Sequence, residues 1–182
     1  MNQIEIIAVV FSLLSVILAV KNNFLTWPVG IVGVIFYGIL FYQTKTWGNM
    51  FLQFLFVAQS LYGWYNWKKD KTILPIEKLD KHDVNLFTIT TGLLCFFISF
   101  VLLMTGDKQP YLDGVTTGLS IVGTLLLAFK KIDNWYYWIA ADILYIYLFI
   151  TQELYWSAGI YFVFLLLAIS GLKTWKKDLK IV

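Results

Sequence analysis

Arginine is absent from this 182-residue chain, and histidine and cysteine occur once each, at His82 and Cys95. Neither has a partner at metal-ligand spacing, so neither a metal centre nor thiol catalysis is expected. No glycine-rich phosphate loop, zinc-binding helix motif or nucleophile elbow is present, and no cofactor is expected. Charge is also scarce: 14% of residues are charged, against roughly a quarter in a soluble domain. A polar shell cannot be made from that supply. The fourteen lysines give a net charge of only +3 and are dispersed, which excludes a nucleic-acid surface.

What is present is apolar. Hydrophobic residues make up 59% of the chain and aromatics 19%, with a mean hydropathy of +0.73. Seven spans of ~20 residues leave room for loops and tails but not for a second globular domain. Apolar runs bounded by polar clusters predict spans at 4–20, 27–43, 47–67, 84–105, 111–129, 135–151 and 155–175. The first opens Met1-Asn2-Gln3-Ile4-Glu5, without the basic start or cleavage site of a signal peptide. The expected fold is an all-α, seven-helix membrane protein with the lipid bilayer as its main partner.

Seven spans place the termini on opposite sides. Lys21, Lys68, Lys69, Lys71, Lys78, Lys81, Lys130, Lys131, Lys173, Lys176, Lys177 and Lys180 then share one side, against Lys45 and Lys108 on the other. The positive-inside rule makes the lysine-rich side cytoplasmic, with the amino terminus outside and the carboxyl terminus inside. Trp27, Trp47, Trp64, Trp67, Trp135, Trp156 and Trp175 fall near span ends, where an aromatic belt at the headgroup level is the simplest expectation. The 68–83 connector, with its mixed charges, is expected to be solvated.

Sliding the chain along itself by 108 residues aligns spans two and three with six and seven. Over 26–69 against 134–177, twelve of 44 pairs are identical, among them Trp27/Trp135, Tyr37/Tyr145, Gly63/Gly171 and Trp67/Trp175. The expected organisation is a first three-helix repeat over 1–67, the connector 68–83, a linker helix over 84–105, a second repeat over 111–175 and a tail over 176–182. Copies displaced by four crossings are parallel repeats, related by an axis along the membrane normal, with a site expected near the midplane. That points to a carrier.

Polar residues that break the repeat are where one ligand of definite shape can be read. Val34 corresponds to Asp142, Asn49 to Ser157, Gln53 to Tyr161 and Gln59 to Leu167. Asp142 is the one carboxylate deep in a span, about 10 Å from its lysine-rich end at ~1.5 Å per residue. Inserting an aspartate there costs ~2.5–3.5 kcal/mol, and no lysine lies deep in a span to neutralise it. Trp138, Asp142 and Tyr145 fall on one helix face. An aromatic face around a carboxylate suits a flat molecule that is cationic or carries hydroxyls. On span three, Asn49, Gln53, Ser60 and Trp64 share one face, and Gln59 and Asn66 another. One of the two points inward, and the pattern leaves open which.

Asn49-Met-Phe-Leu-Gln53 with Tyr62-Gly-Trp64-Tyr-Asn-Trp67 resembles span three of the PnuC family of vitamin transporters. Asp113-Gly-Val-Thr-Thr-Gly-Leu-Ser120, then Lys130-Lys-Ile-Asp-Asn134-Trp135-Tyr-Tyr-Trp138 and Asp142 through Tyr145, resemble that family's second repeat. The resemblance implies a three-plus-one-plus-three fold like that of the SWEET sugar transporters. It also implies uptake of nicotinamide riboside across a bacterial inner membrane by facilitated diffusion, drawn forward by a separate cytosolic kinase. Thiamine is the next candidate, riboflavin a poorer one, and a proton-coupled carrier using Asp142 a mechanistic variant. A homo-oligomer is left open. For nicotinamide riboside, Trp138 with Tyr37 or Tyr145 would stack the pyridinium, Gln53 or Gln59 would read the carboxamide, and Asp142 would take the ribose or the charge. Asn49 and Tyr161, which break the repeat, complete the candidate set.

Overall fold

The computed structural model describes residues 3–43, 45, 47–69 and 75–179. Lys71 and Lys180, and the side chains of Trp47 and Lys69, lie outside the described residues. Among the described residues seven helices follow one another: α1 (Gln3–Val20), α2 (Thr26–Gln43), α3 (Trp47–Lys69), α4 (Lys81–Met104), α5 (Pro110–Ala128), α6 (Asn134–Thr151) and α7 (Tyr155–Asp178). Each expected span is one helix, with ends within three residues of those read from hydropathy. The helices outrun the spans at the lysine-rich end, where α3 continues to Lys69 and α7 to Asp178. Local signals set the boundaries. Asp80 caps α4 by accepting from the Asp83 N–H at 2.7 Å, and Pro110 stands in the first turn of α5.

Five helices, α1, α2, α4, α5 and α7, are each apolar and long enough to cross a bilayer on their own. The remaining two, α3 and α6, fall short on composition alone. They carry the amides of span three and the aspartate and tyrosines of span six. A helix that is polar in mid-membrane must hide that polarity against its neighbours. Here α3 packs between α2 and α5, and α6 between α5 and α7.

The packing closes a ring in the order α1, α2, α3, α5, α6, α7 and back to α1, with α4 against α5 outside it. The 108-residue offset recurs in the backbone itself. The non-glycine residues with left-handed φ among those described are Asn22, Lys45, Lys130 and Glu153. They form two pairs 108 apart. Asn22 and Asn23 donate to Ala19 and Leu18, as Lys130 and Lys131 donate to Leu127 and Leu126, all at 2.9 Å. These paired helix ends satisfy the last carbonyls in the same way.

The core departs from the belt expectation. Trp27, Trp67, Trp135 and Trp175 are not at the lipid interface: each is at most 7% exposed. Trp27 meets Trp67 edge to face at 5.5 Å, Trp135 meets Trp175 likewise at 5.4 Å, and Trp67 and Trp175 touch across the ring at 6.3 Å. Edge-to-face pairs add ~0.5–1.5 kcal/mol beyond area burial. The Trp67 indole N–H donates to the Ala128 carbonyl at 3.2 Å, and the Trp175 indole N–H to the Ala19 carbonyl at 3.1 Å. Each repeat thus binds the other's first helix. Trp156, 82% exposed, keeps the belt role.

Gly63 and Gly171 are required beneath these rings. A Cβ at either would lie 2.5 Å from the ring of Trp27 or Trp135, respectively. Gly171→Ala and Gly63→Ala are each expected to destabilise the fold by ~1–3 kcal/mol through overpacking. Gly92→Ala on α4, where a Cβ would meet nothing within 4 Å, is expected to leave stability unchanged or raise it. Thermal unfolding in detergent compares the three.

The connector also departs from expectation. Residues 75–80 are docked on the α5–α6 turn, and Ile76 and Leu79 are buried. Glu77 N–H donates to the Lys130 carbonyl at 3.1 Å, Ile132 N–H to the Glu77 carbonyl at 2.8 Å, and Leu79 N–H to the Asp133 carboxylate at 2.8 Å. Lys131 pairs with Glu77 at 2.5 Å. The apolar Ile76 and Leu79 among the charges are what hold this segment down. Lys130, only 4% exposed, lies 4.4 Å over the Trp67 ring. Burial pulls its ammonium below the usual lysine range, and the ring face offsets part of that penalty.

Candidate substrate site

Asp142 is 3% exposed and makes no hydrogen bond or ion pair among the described residues. A buried carboxylate without a partner is costly, and α6 holds it where the repeat has Val34. Trp138 lies one turn toward the lysine-rich end and packs against Gly123 of α5. A Cβ there would come 3.2 Å from the indole nitrogen. Tyr145 lies one turn the other way, its hydroxyl facing those of Thr116, Thr117 and Ser120 on α5.

Around Tyr145 the aromatic rings are continuous. Tyr161 of α7 packs on Tyr145 at 4.5 Å and on Phe149 at 5.2 Å. It lies within electrostatic reach of Asp142 and of Tyr37 on α2. Tyr37 stacks on Phe41 at 6.1 Å, as Tyr145 stacks on Phe149 at 5.9 Å. Tyr37, Tyr145, Tyr161 and Asp142 therefore meet near the middle of the ring, from α2, α6 and α7. In the first repeat Gln53 takes the place of Tyr161 and rests against Gly38 of α2.

The two faces of α3 are now distinguished. Gln59 donates to the Ile121 carbonyl at 3.0 Å, and Asn66 to the Ala128 carbonyl at 2.9 Å, so this face packs on α5. The Oε1 of Gln59 stays buried without a partner among the described residues. Gln59 thus ties two helices and keeps one acceptor in hand. Its neighbour Ser60 is buried. Gln53 donates at 3.3 Å to the Asn49 carbonyl within its own helix. Asn49 is exposed at the start of α3, about 16 Å from the level of Ser60 at ~1.5 Å per residue. Asn49 is not brought together with Asp142.

Reading the sequence missed a hydroxyl stripe on α5. Thr116, Ser120 and Thr124 are buried at i, i+4 and i+8. Each donates back to a carbonyl of its own helix: Thr116 to Leu112 at 3.0 Å, Ser120 to Thr116 at 2.9 Å and Thr124 to Ser120 at 2.8 Å. Their oxygens remain able to accept. The signal was available, because Thr116 and Thr124 correspond to Ala8 and Val16 in the first repeat.

The arrangement is polar on one side of the ring and carries acceptors, hydroxyls and aromatic faces. No lysine lies within α2, α5 or α6. Such a group of side chains favours a cationic or neutral aromatic with hydroxyls and disfavours an anion, which would face Asp142 without a counter-charge.

Comparison with known proteins agrees with this reading of the fold. The nicotinamide riboside transporter PnuC of Escherichia coli (strain K12) is 24% identical, the alignment covering 96% of this chain and 85% of that protein. The riboflavin/roseoflavin transporter RibM of Streptomyces davaonensis is 21% identical over 94% of this chain and 83% of its own. A crystal structure of the vitamin B3 transporter PnuC superposes with a TM-score of 0.80 at 23% identity, covering 98% of this chain and 82% of that one, and so shares the fold. The profile of the family described as nicotinamide mononucleotide transporter matches residues 2–177. The chain therefore belongs to that family, and it is a multi-pass membrane transporter rather than an enzyme.

Proposed function

We propose that this protein takes up nicotinamide riboside across a bacterial inner membrane by facilitated diffusion. The observation that carries the proposal is Asp142, buried without a counter-ion among the described residues and flanked by Trp138, Tyr145 and Tyr161. Nicotinamide riboside supplies what that group of side chains lacks: a flat pyridinium cation to face the carboxylate, and ribose hydroxyls for the tyrosine and α5 oxygens. A cation against an aromatic face gains ~0.5–2 kcal/mol. The mononucleotide adds a phosphate, for which α2, α5 and α6 offer no base. The riboside is therefore the preferred substrate of the two. Similarity to proteins named as nicotinamide riboside transporters points the same way.

The two three-helix repeats would rock about their shared axis, exposing the site alternately to either side. With the lysine-rich side in the cytoplasm, the tryptophan cluster closes the inner end, and entry is from outside. Phosphorylation inside the cell by a separate kinase would trap the vitamin and keep uptake running.

Tryptophan fluorescence of purified protein, titrated in parallel with nicotinamide riboside, its mononucleotide, thiamine and riboflavin, tests the substrate. Saturable binding is expected at the lowest concentration for the riboside, with the mononucleotide at least tenfold weaker. Equal or tighter binding of the mononucleotide would overturn the charge argument. Two second readings have observations behind them. The buried Asp142, without a hydrogen-bond or ionic partner among the described residues, favours a proton-coupled variant, which counterflow in proteoliposomes with and without a pH gradient would reveal as gradient-dependent accumulation. The likeness to RibM favours riboflavin, which the same titration would show as the tightest ligand.

A further inference from the structure

We propose that the protein binds the headgroup of an anionic phospholipid at the lysine-rich end of α6 and α7, independently of what it carries through the ring. A groove of about 320 Å³ there is lined by Lys78, Ile132, Tyr136, Lys176, Lys177 and Leu179. Three of the six are lysines from two distant parts of the chain, and no acid is among them. Lys78 reaches the groove because the connector is pinned on the α5–α6 turn by Glu77, Lys131 and Asp133. Lys176 lies 5.7 Å from the centre of the Tyr136 ring.

Charge and location select the occupant. Ile132, Tyr136 and Leu179 give the groove an apolar floor, which a soluble anion does not need and a lipid glycerol and upper acyl chain do. From Tyr136, the exposed residues Ile143, Tyr147 and Ile150 continue down the same face of α6, at i+7, i+11 and i+14. The groove thus opens onto an apolar track that descends into the bilayer. Basic pockets at the ends of membrane helices bind acidic headgroups in this manner, and lysines near such a surface each attract them. A diester phosphate seated among three ammonium groups, with its chains on that track, uses every lining residue.

Native mass spectrometry of the detergent-purified protein, offered equal phosphatidylglycerol and phosphatidylcholine, tests the proposal. Retention of phosphatidylglycerol over phosphatidylcholine is expected. The variant Lys78→Gln/Lys176→Gln/Lys177→Gln is expected to reduce that preference at least tenfold, a lower bound on losing three surface attractions. The charge-matched variant Lys21→Gln/Lys81→Gln/Lys173→Gln, at exposed positions outside the groove, is expected to keep it. Preference surviving in the first variant, or lost equally in both, would overturn the site. Displacement of phosphatidylglycerol by millimolar inorganic phosphate at constant ionic strength would overturn the lipid as occupant.

Discussion

Asp142→Ala is expected to weaken nicotinamide riboside binding at least tenfold, about 1.4 kcal/mol, in the fluorescence titration, without lowering the thermal unfolding temperature. The two halves of this expectation have one cause. In the ligand-free protein the carboxylate is buried and has no hydrogen-bond or ionic partner among the described residues. Its removal breaks no interaction and relieves a desolvation cost. With a cation bound beside Tyr161, the same carboxylate becomes an opposite charge within electrostatic reach of it, and its loss falls on affinity. Asp142→Asn, which keeps the shape and one acceptor, should fall between wild type and alanine. Unchanged affinity in both variants would remove Asp142 from the site. Trp138 is a less clean probe, because its ring is packed on Gly123. Trp138→Phe is the better substitution, since it keeps much of the contact and gives up only the larger ring.

Trp175→Ala is expected to cost ~3–5 kcal/mol of stability, the range for deleting a large buried aromatic. Trp175 is 0% exposed, contacts Trp67 and Trp135, and donates to the Ala19 carbonyl of the other repeat. Trp156→Ala removes the same side chain where it is 82% exposed and should shift stability by no more than ~0.5 kcal/mol. Thermal unfolding of both variants in the same detergent makes the comparison. Equal effects would mean that the cluster does not hold the two repeats together.

The helices were legible in the sequence because hydropathy in a membrane protein answers directly to solvent, and each expected span is one helix. The tryptophans show where that reading stops. Trp27, Trp67, Trp135 and Trp175 stand at helix ends, and a helix end is where both a belt and a core plug are found. Position alone could not separate them. The pairing of Trp27 with Gly63 and of Trp135 with Gly171, at the same offset in both copies, carried the missing information, since a lipid-facing ring needs no glycine beneath it. Net composition predicts a solvated connector over 68–83, which overlooks that Ile76 and Leu79 stand among the charges and can bury separately.

The candidate site was legible to the extent that it breaks the repeat. Asp142 and Tyr161 are asymmetric, and both lie in the central group. Asn49 is also asymmetric yet lies at the end of α3, because the amphipathic period fixes a face but not a depth. The facing of Gln59 toward α5 depends on which neighbour α3 packs against, and a sequence with two polar faces leaves that choice to tertiary structure. The α5 hydroxyls are inconspicuous for a physical reason: threonine and serine can satisfy themselves on their own helix, so they cost little and mark little.

The placement of α4 decides what rocking would look like. Within the described residues α4 touches α5 and no ring helix of the first repeat. The connector leading into it is fastened to the α5–α6 turn from Glu77 onward. In a rocking motion the fourth helix is cargo of the second body, and the two moving parts are unequal, three helices against four. Changes within α4 would then alter only the weight that the larger part drags through lipid, not the seam between the two parts.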